Sequence, residues 1–317
     1  MPAWLPSSLQ QEISMTKTKL TTTTSPLYAF SADTPELRQK FCAFINELVE
    51  GPMSAEAFTQ ALSGGIADLA TTLRSLPALE GRLIEFGIAA VARCNPDLKV
   101  LTQNLRLPVS PTALKLVELN HAENFRALTF DSDMGGRKTY TPDLVILNER
   151  TGTAHIVDAK RSVYTYDRVR LDDLQNRMKA AGLVLPDFLY KEHKRLVTKE
   201  VRVVILTADN RKTDLNGGIW HISQLDHLVE VEGAGAAIAR LQTEFHFCIE
   251  ANWKKACETF AQSRKLPIAA LDQVEAELDD VVSDKEDEQS FDDANAIDAS
   301  ANRSMIRLGF PQAPTRH

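Results

Sequence analysis

The chain has 317 residues, 44% hydrophobic and 7% aromatic, with 36 Lys and Arg against 43 Asp and Glu for a net charge of −7. That size and composition exclude a disulfide-stapled miniprotein, a collagen-like fibre and a wholly disordered chain. Cys42, Cys94, Cys248 and Cys257 form no CxxC pair, no run approaches the roughly 20 apolar residues of a membrane helix, and residue 1 onward lacks the apolar core of a secretory signal. The expectation is a cytoplasmic protein with no membrane partner and no zinc site.

Residues 1–30 are rich in Ser, Thr and Pro and read as a disordered leader, within which Met15 is a second candidate start. An N-terminal helical region follows over 31–77: Thr34 and Pro35 open a helix through Leu37, Phe41, Phe44, Ile45 and Leu48, with shorter helices at Ala55–Leu62 and Ile66–Leu76. The core is assigned to 78–232. It begins with a helix over Ala78–Arg93, stopped by Asn95-Pro96, and continues as strands at Val100–Leu107, Ala113–Leu119 and Arg126–Phe130. Asp143–Leu147, the turn NERTGT and Ala154–Lys160 read as a β-hairpin. A helix marked by Leu171, Leu174, Met178 and Ala181 is expected to stop at Gly182, and Val201–Thr207 has the composition of a strand covered on both faces. A C-terminal helix over 233–267 and an acidic disordered tail over 268–317 complete the chain.

The hairpin carries the chemistry. Side chains alternate along a strand, so Asp158 and Lys160 share one face, and folding back through the turn sets Asp143 near both. Two carboxylates and an ammonium at the end of an apolar hairpin are costly to bury unless a cation and a ligand complete the set. Oxygen-only ligands favour Mg2+ or Mn2+, which takes one or two carboxylates plus waters and phosphate oxygens. The lysine can position or deprotonate the attacking water, so the physical reading is metal-assisted phosphodiester hydrolysis.

Pro142-Asp143, fourteen intervening residues and Asp158-Ala159-Lys160 resemble the PD-(D/E)xK nuclease superfamily, which includes type II restriction enzymes, phage exonucleases and RecB-type nucleases. The resemblance spans roughly 78–210. It implies an α/β fold with a restriction-endonuclease-like αβββαβ core, here flanked by N-terminal helices and a C-terminal helix. It also implies that Asp143 and Asp158 hold the metal with the Ala159 carbonyl and that Lys160 is the catalytic lysine. Many members carry a Glu on the preceding helix four residues after a Gly. Gly81 and Glu85 fit that habit, with Glu80 as the rival. Gln175 lies where RecB-type members place an accessory Gln, although Lys179 stands where they carry Tyr. Two other copies of the pattern, at Pro96-Asp97 and Pro186-Asp187, leave no room for a hairpin.

The plain alternative is a turn-starting Asp143 and an exposed Asp158–Lys160 pair worth under about 1 kcal/mol. Arg137, Lys138, Arg161, Arg168 and Arg170 are candidate DNA contacts, with Arg177, Lys191, Lys194 and Arg195 further along and Tyr140, Tyr164, Tyr166 and Tyr190 interleaved for stacking. His155, opposite Asp158, and His193 read as structural. The expected function is a Mg2+-dependent deoxyribonuclease with DNA as partner. Its alternative is a catalytically silent nuclease-like DNA-binding or assembly module whose acidic tail docks a protein partner. Arg303, Arg307 and Arg316 give that tail a weaker third reading, as an address or secretion signal. Twelve acidic residues and one lysine lie between Asp272 and Asp298, so the total of −7 resolves into −11 there and +4 on the rest. The acidic balance therefore does not exclude nucleic acid.

Overall fold

Helix-start signals in the sequence act where they stand. In the computed structural model, which describes residues 27–125, 128–134, 138–164, 166–209, 213–264 and 307–309, a short strand β1 (Phe30–Ser31) leads into α1 (Pro35–Val49). The Thr34 hydroxyl accepts the Leu37 amide and Pro35 fills the first turn, which satisfies one of the orphan donors of a helix N-terminus. Three more helices follow: α2 (Ala55–Gly64), α3 (Ile66–Leu73) and α4 (Leu76–Ala92). Then come β2 (Leu98–Leu101), β3 (Leu107–Pro108), α5 (Pro111–Leu119), α6 (Ala122–Phe125), β4 (Thr139–Tyr140), β5 (Leu144–Asn148) and β6 (Thr153–Lys160). The remainder is α7 (Arg168–Glu192), β7 (Glu200–Thr207), β8 (Ile219–His221), α8 (Leu225–Val229), β9 (Val231–Glu232), α9 (Ala234–Arg264) and β10 (Arg307–Gly309).

The main sheet is mixed. β2, β5 and β6 are antiparallel neighbours, β7 runs parallel to β6, and β10 and β8 pair with the two halves of the outer edge of β7, both parallel. Because strand residues alternate faces, each strand feeds two cores. Leu144, Ile146, Val157, Val204 and Leu206 pack against a layer built from α1 to α4, α8 and α9. Val145, Leu147, Ile156, Val203 and Ile205 pack against α5 and α7 on the other side. The molecule is thus an α/β protein with helices on both faces of the sheet. The helical region at 31–77 and the C-terminal helix, which read as flanking segments, belong to one layer. Gly87 shows how closely that layer packs, since a Cβ there would sit 2.7 Å from Leu241 and 2.8 Å from Ile238 of α9.

Several expectations are corrected. Residues 113–119, read as a strand, are helix α5. The Ser110 hydroxyl caps the Ala113 amide, Pro111 occupies the first turn, and Ala113 and Val117, four apart, face the core. Residues 128–130 form no strand, and 126–127 lie outside the described residues. Gly182 does not end α7, which runs ten residues further through Pro186. Proline inside a helix costs about 3 kcal/mol, here by forfeiting its bond to the Gly182 carbonyl. Buried Leu183, Leu185 and Leu189 outweigh that at about 1.5–3 kcal/mol each. The leader expected over 1–30 is tied down at its end, where β1 pairs with β9 and the Tyr28 hydroxyl meets His227 Nδ1. Residues 1–26 lie outside the described residues, as does the tail expected at 268–317 apart from the edge strand β10. No helix among the described residues is long and apolar enough to cross a membrane.

Candidate active site

The β5–β6 hairpin sets the geometry. Its turn closes through Gly152, whose φ of 75° is a left-handed conformation and whose amide donates to the Asn148 carbonyl at 2.8 Å. The Asn148 side chain accepts from the amides of Arg150 and Thr151, which fixes the register at Leu144 opposite Val157. One step beyond that pair, Asp143 Oδ2 accepts the Ala159 amide at 2.6 Å, so the acid that opens the first strand closes onto the end of the second. Asp158 and Lys160 point to the α7 side of β6, as the alternation predicts, while Ala159 packs toward the opposite helical layer.

Asp158 is 4% exposed, an unusual setting for a carboxylate. Its Oδ2 accepts the Tyr140 hydroxyl at 2.6 Å. Its Oδ1 lies 2.7 Å from Lys160 Nζ in an ion pair that lacks hydrogen-bond alignment, so this buried oxygen has no aligned donor. Burial works against the Lys160 charge, but Asp158 and then Asp143 outweigh it and hold the ammonium above its ordinary pKa. Burial also raises the Tyr140 phenol, and the Asp158 charge raises it further. Asp143 is pushed up to about 7 by burial and by the neighbouring Asp158 carboxylate, against the Lys160 ammonium and the Ala159 amide. Glu85 on α4 is raised too, by burial first, with Lys160 opposing and Asp158 adding. Each of these carboxyls lies in the field of the others, so the cluster carries more negative charge than Lys160 neutralises. Among the described residues, no three His, Cys, Asp or Glu side chains converge as a ready metal cage.

Beside Lys160 opens a cleft of about 200 Å³ lined by Lys160, Tyr166, Arg170, Asp173, Leu174 and Arg177. Two ties hold its rim: the Ser162 hydroxyl donates to Asp209 at 2.7 Å, and Asp167 caps α7 by accepting the Arg170 amide at 2.7 Å.

The hairpin therefore brings together Asp143, Asp158, Ala159 and Lys160, while Glu85 on α4 feels the Lys160 and Asp158 charges without converging with the two aspartates as a metal-holding group. Glu80 is engaged elsewhere, with His246 at 2.7 Å and Arg161 at 3.4 Å. Arg168 is exposed and within ion-pair reach of Asp172 at 3.8 Å, whereas Arg170 faces the cleft. Gln175 points away, donating to the Gly217 carbonyl at 2.6 Å, so it fastens the loop before β8. Lys191 sits at the far end of α7, roughly 35 Å along the helix from Arg168 at 1.5 Å per residue, bonded to Asp131 and Asp133. Arg137 lies outside the described residues, and Lys138 precedes β4. His155 is buried on the opposite sheet face, its pKa lowered to about 3 by burial and then by Arg202, so it is a neutral ring in the core.

The residue that sequence reasoning misplaced is Tyr140, read as a stacking surface but in fact buried beneath Asp158. A tyrosine two residues before Pro142 was the available signal. Its meaning depends on the β3–β4 ladder, which pairs it with Leu107 and which no local periodicity announces.

No protein-family model matches the chain, and neither a curated protein nor a solved structure matches it.

Proposed function

We propose that the chain is a Mg2+- or Mn2+-dependent nuclease that hydrolyses phosphodiester bonds in DNA. The observation that carries the proposal is the pair Asp143 and Asp158 at the hairpin end, where burial first and the Asp158 charge second raise Asp143 to about 7 beside the Lys160 ammonium. The negative charge that Asp143 and Asp158 can hold beyond the Lys160 ammonium is what a divalent cation relieves, and in that respect the residues fit a magnesium ion. Two carboxylates suffice, because magnesium takes one or two and keeps several waters. Asp143 and Asp158 would hold it, with Glu85 and the Ala159 carbonyl as the further ligands that the family resemblance implies. When bound, such an ion acidifies a water and neutralises phosphate charge. Succession of α4, β2, β5, β6, α7 and β7 in the sheet and its flanks also supports the αβββαβ reading.

The side chains have separable tasks. Lys160, kept charged at neutral pH, donates to an incoming water or to a phosphate oxygen rather than taking a proton. Tyr140 and the Ala159 amide orient the two carboxylates. The burial of Asp158 keeps bulk water from screening the interactions. Linear, circular and single-stranded DNA incubated with Mg2+, Mn2+ or EDTA should be cut only with metal, and Asp143→Ala and Lys160→Ala should abolish cutting. Full activity in both variants would refute the assignment. The direct Asp158–Lys160 ion pair favours the second reading, a silent DNA-binding or assembly module in which the pair is structural. That reading requires DNA binding with no metal-linked signal in a calorimetric titration.

A further inference from the structure

The cleft beside Lys160 is separate from the carboxylates and has a composition of its own. Most cations near the site are matched: Lys160 by Asp158, Arg161 by Glu80, Arg168 by Asp172 and Arg177 by Asp173. Arg170 lines the cleft and makes no ion pair among the described residues, although its backbone amide is capped by Asp167. Arg170 in this polar recess suits a phosphate group, and Arg177 on the same wall, now paired with the lining Asp173 at 3.1 Å, becomes a second donor when a phosphate competes for it. The connection from β6 to α7 carries Tyr164 at 62% exposure, two residues before Tyr166, which lines the cleft. Buried Val163 packs into the α7-side core and Ser162 bonds Asp209, so the residues just before Tyr164 are held in place.

Exposed aromatic rings next to phosphate-binding arginines are the chemistry of unpaired nucleic acid, because every base offers a π-face only when it is not enclosed in a duplex stack. The depth of the site points the same way. Asp158 is nearly inaccessible, and a flexible strand can lower a phosphate into a recess that a rigid duplex reaches only with its outer backbone. We propose that this cleft is a subsite for an unpaired DNA strand: Arg170 and Arg177 hold the phosphodiester next to the one at the carboxylates, and Tyr164 stacks on its base. The subsite rests on the nuclease reading above and specifies its substrate as single-stranded DNA or an unpaired strand end.

The test is binding in EDTA, where no cleavage occurs. Fluorescence anisotropy with a labelled twelve-residue thymidine oligonucleotide and with a duplex of equal length should give at least tenfold tighter binding of the single strand. Tyr164→Ala should weaken the single strand by roughly 5- to 150-fold, the range for loss of one base–aromatic stack, and leave the duplex unchanged. The double variant Arg170→Ala/Arg177→Ala should weaken binding and make the salt dependence of log affinity shallower by about 0.7 per decade of salt, as expected for one phosphate no longer neutralised on a single strand. Equal affinity for the two DNAs, or a Tyr164→Ala variant that binds as the wild type does, overturns the subsite whatever the cleavage assays give. Single-strand preference in EDTA without any Mg2+- or Mn2+-dependent cutting upholds the subsite and overturns the nuclease reading.

Discussion

The two ends of α7 each gather one lysine and several carboxylates, and they behave oppositely. At the C-terminal end Lys191 Nζ lies 2.6 Å from Asp131, 2.7 Å from Asp133 and 2.9 Å from Asp187, while the Ser132 amide and hydroxyl both donate to Asp187 Oδ2. Burial alone would raise Asp187, but the Ser132 amide and Lys191 hold it below its ordinary value. Near the N-terminal end Lys160 faces Asp158 and Asp143, and there burial wins: Asp143 is raised and Asp158 keeps an unaligned oxygen. Residue types are the same at both ends. What differs is water and hydrogen-bond completeness, so one cluster is a closed clasp on the loop 131–134 and the other is a covered cluster with a raised carboxyl.

The largest expected difference is in loss of function. Asp158→Ala removes the acid that meets both Lys160 and Tyr140. Cleavage should fall by about a thousandfold or more, since several kcal/mol of transition-state stabilisation go with the cation. Stability should fall by about 2–4 kcal/mol, because a buried hydroxyl and a largely covered ammonium lose their partner. Denaturant titration and an initial-rate assay read the two separately, and wild-type rates would erase the distinction between the ends.

Asp143→Asn tests the open cluster by an effect in the opposite direction. Its native pKa of about 7 lies above the roughly 3.9 of an unfolded aspartate, so the native state favours the protonated form. That contribution is fully present below about pH 4, declines as pH rises, and is lost above about pH 7. Asparagine can still accept the Ala159 amide and never ionises. In EDTA the variant should therefore be more stable than wild type at pH 8 by about 1–3 kcal/mol, after discounting for partial exposure, and the two should converge only below about pH 4. With roughly 2–4 °C per kcal/mol in a chain of this size, thermal melts at the two pH values resolve it. A less stable variant at pH 8 would mean that Asp143 is not under electrostatic strain. The same variant should be inactive, which is the stability–function trade-off expected of a working site.

Tyr140→Phe should be milder. It strips one donor from Asp158 and leaves the ring packed in the same core, for a cost of about 1–2 kcal/mol and about a tenfold loss of rate with little change in substrate affinity. An unchanged rate would assign Tyr140 to packing alone.

How much of this was legible follows from where the information lies. The hairpin and its Asp143–Ala159 closure depend on alternation and one turn, both local, and the alternation also fixed which face Asp158 and Lys160 share. Helix α5 was misread because its apolar residues suit a strand as well as a helix, and the deciding signals, Ser110 and Pro111, sit outside the run. The length of α7 was hidden because Gly182 and Pro186 are local stop signals overridden by a core contributed from elsewhere, including the Phe130 amide that donates to the Leu183 carbonyl at 2.9 Å. Tyr140 and Gln175 owe their places to partners 18 and 42 residues away, which no window of sequence contains.

The smallest expected effect is the control for the whole comparison. Lys191→Ala removes the centre of the closed clasp, yet Asp131 and Asp133 face water, and exposed ion pairs are screened by salt and offset by side-chain ordering. The melting temperature should move no more than repeat scans do at 0.15 M salt, the cleavage rate should be unchanged, and any residual effect should disappear at 1 M salt. Acids as exposed as Asp131 and Asp133 are tolerable around one lysine because water carries the excess charge, whereas at Asp143 and Asp158 the protein must carry it. A rate loss for Lys191→Ala comparable to that of Lys160→Ala would show that counting charges, not burial, distinguishes the ends of α7, and the reasoning that selects the hairpin site would then fail at its first step.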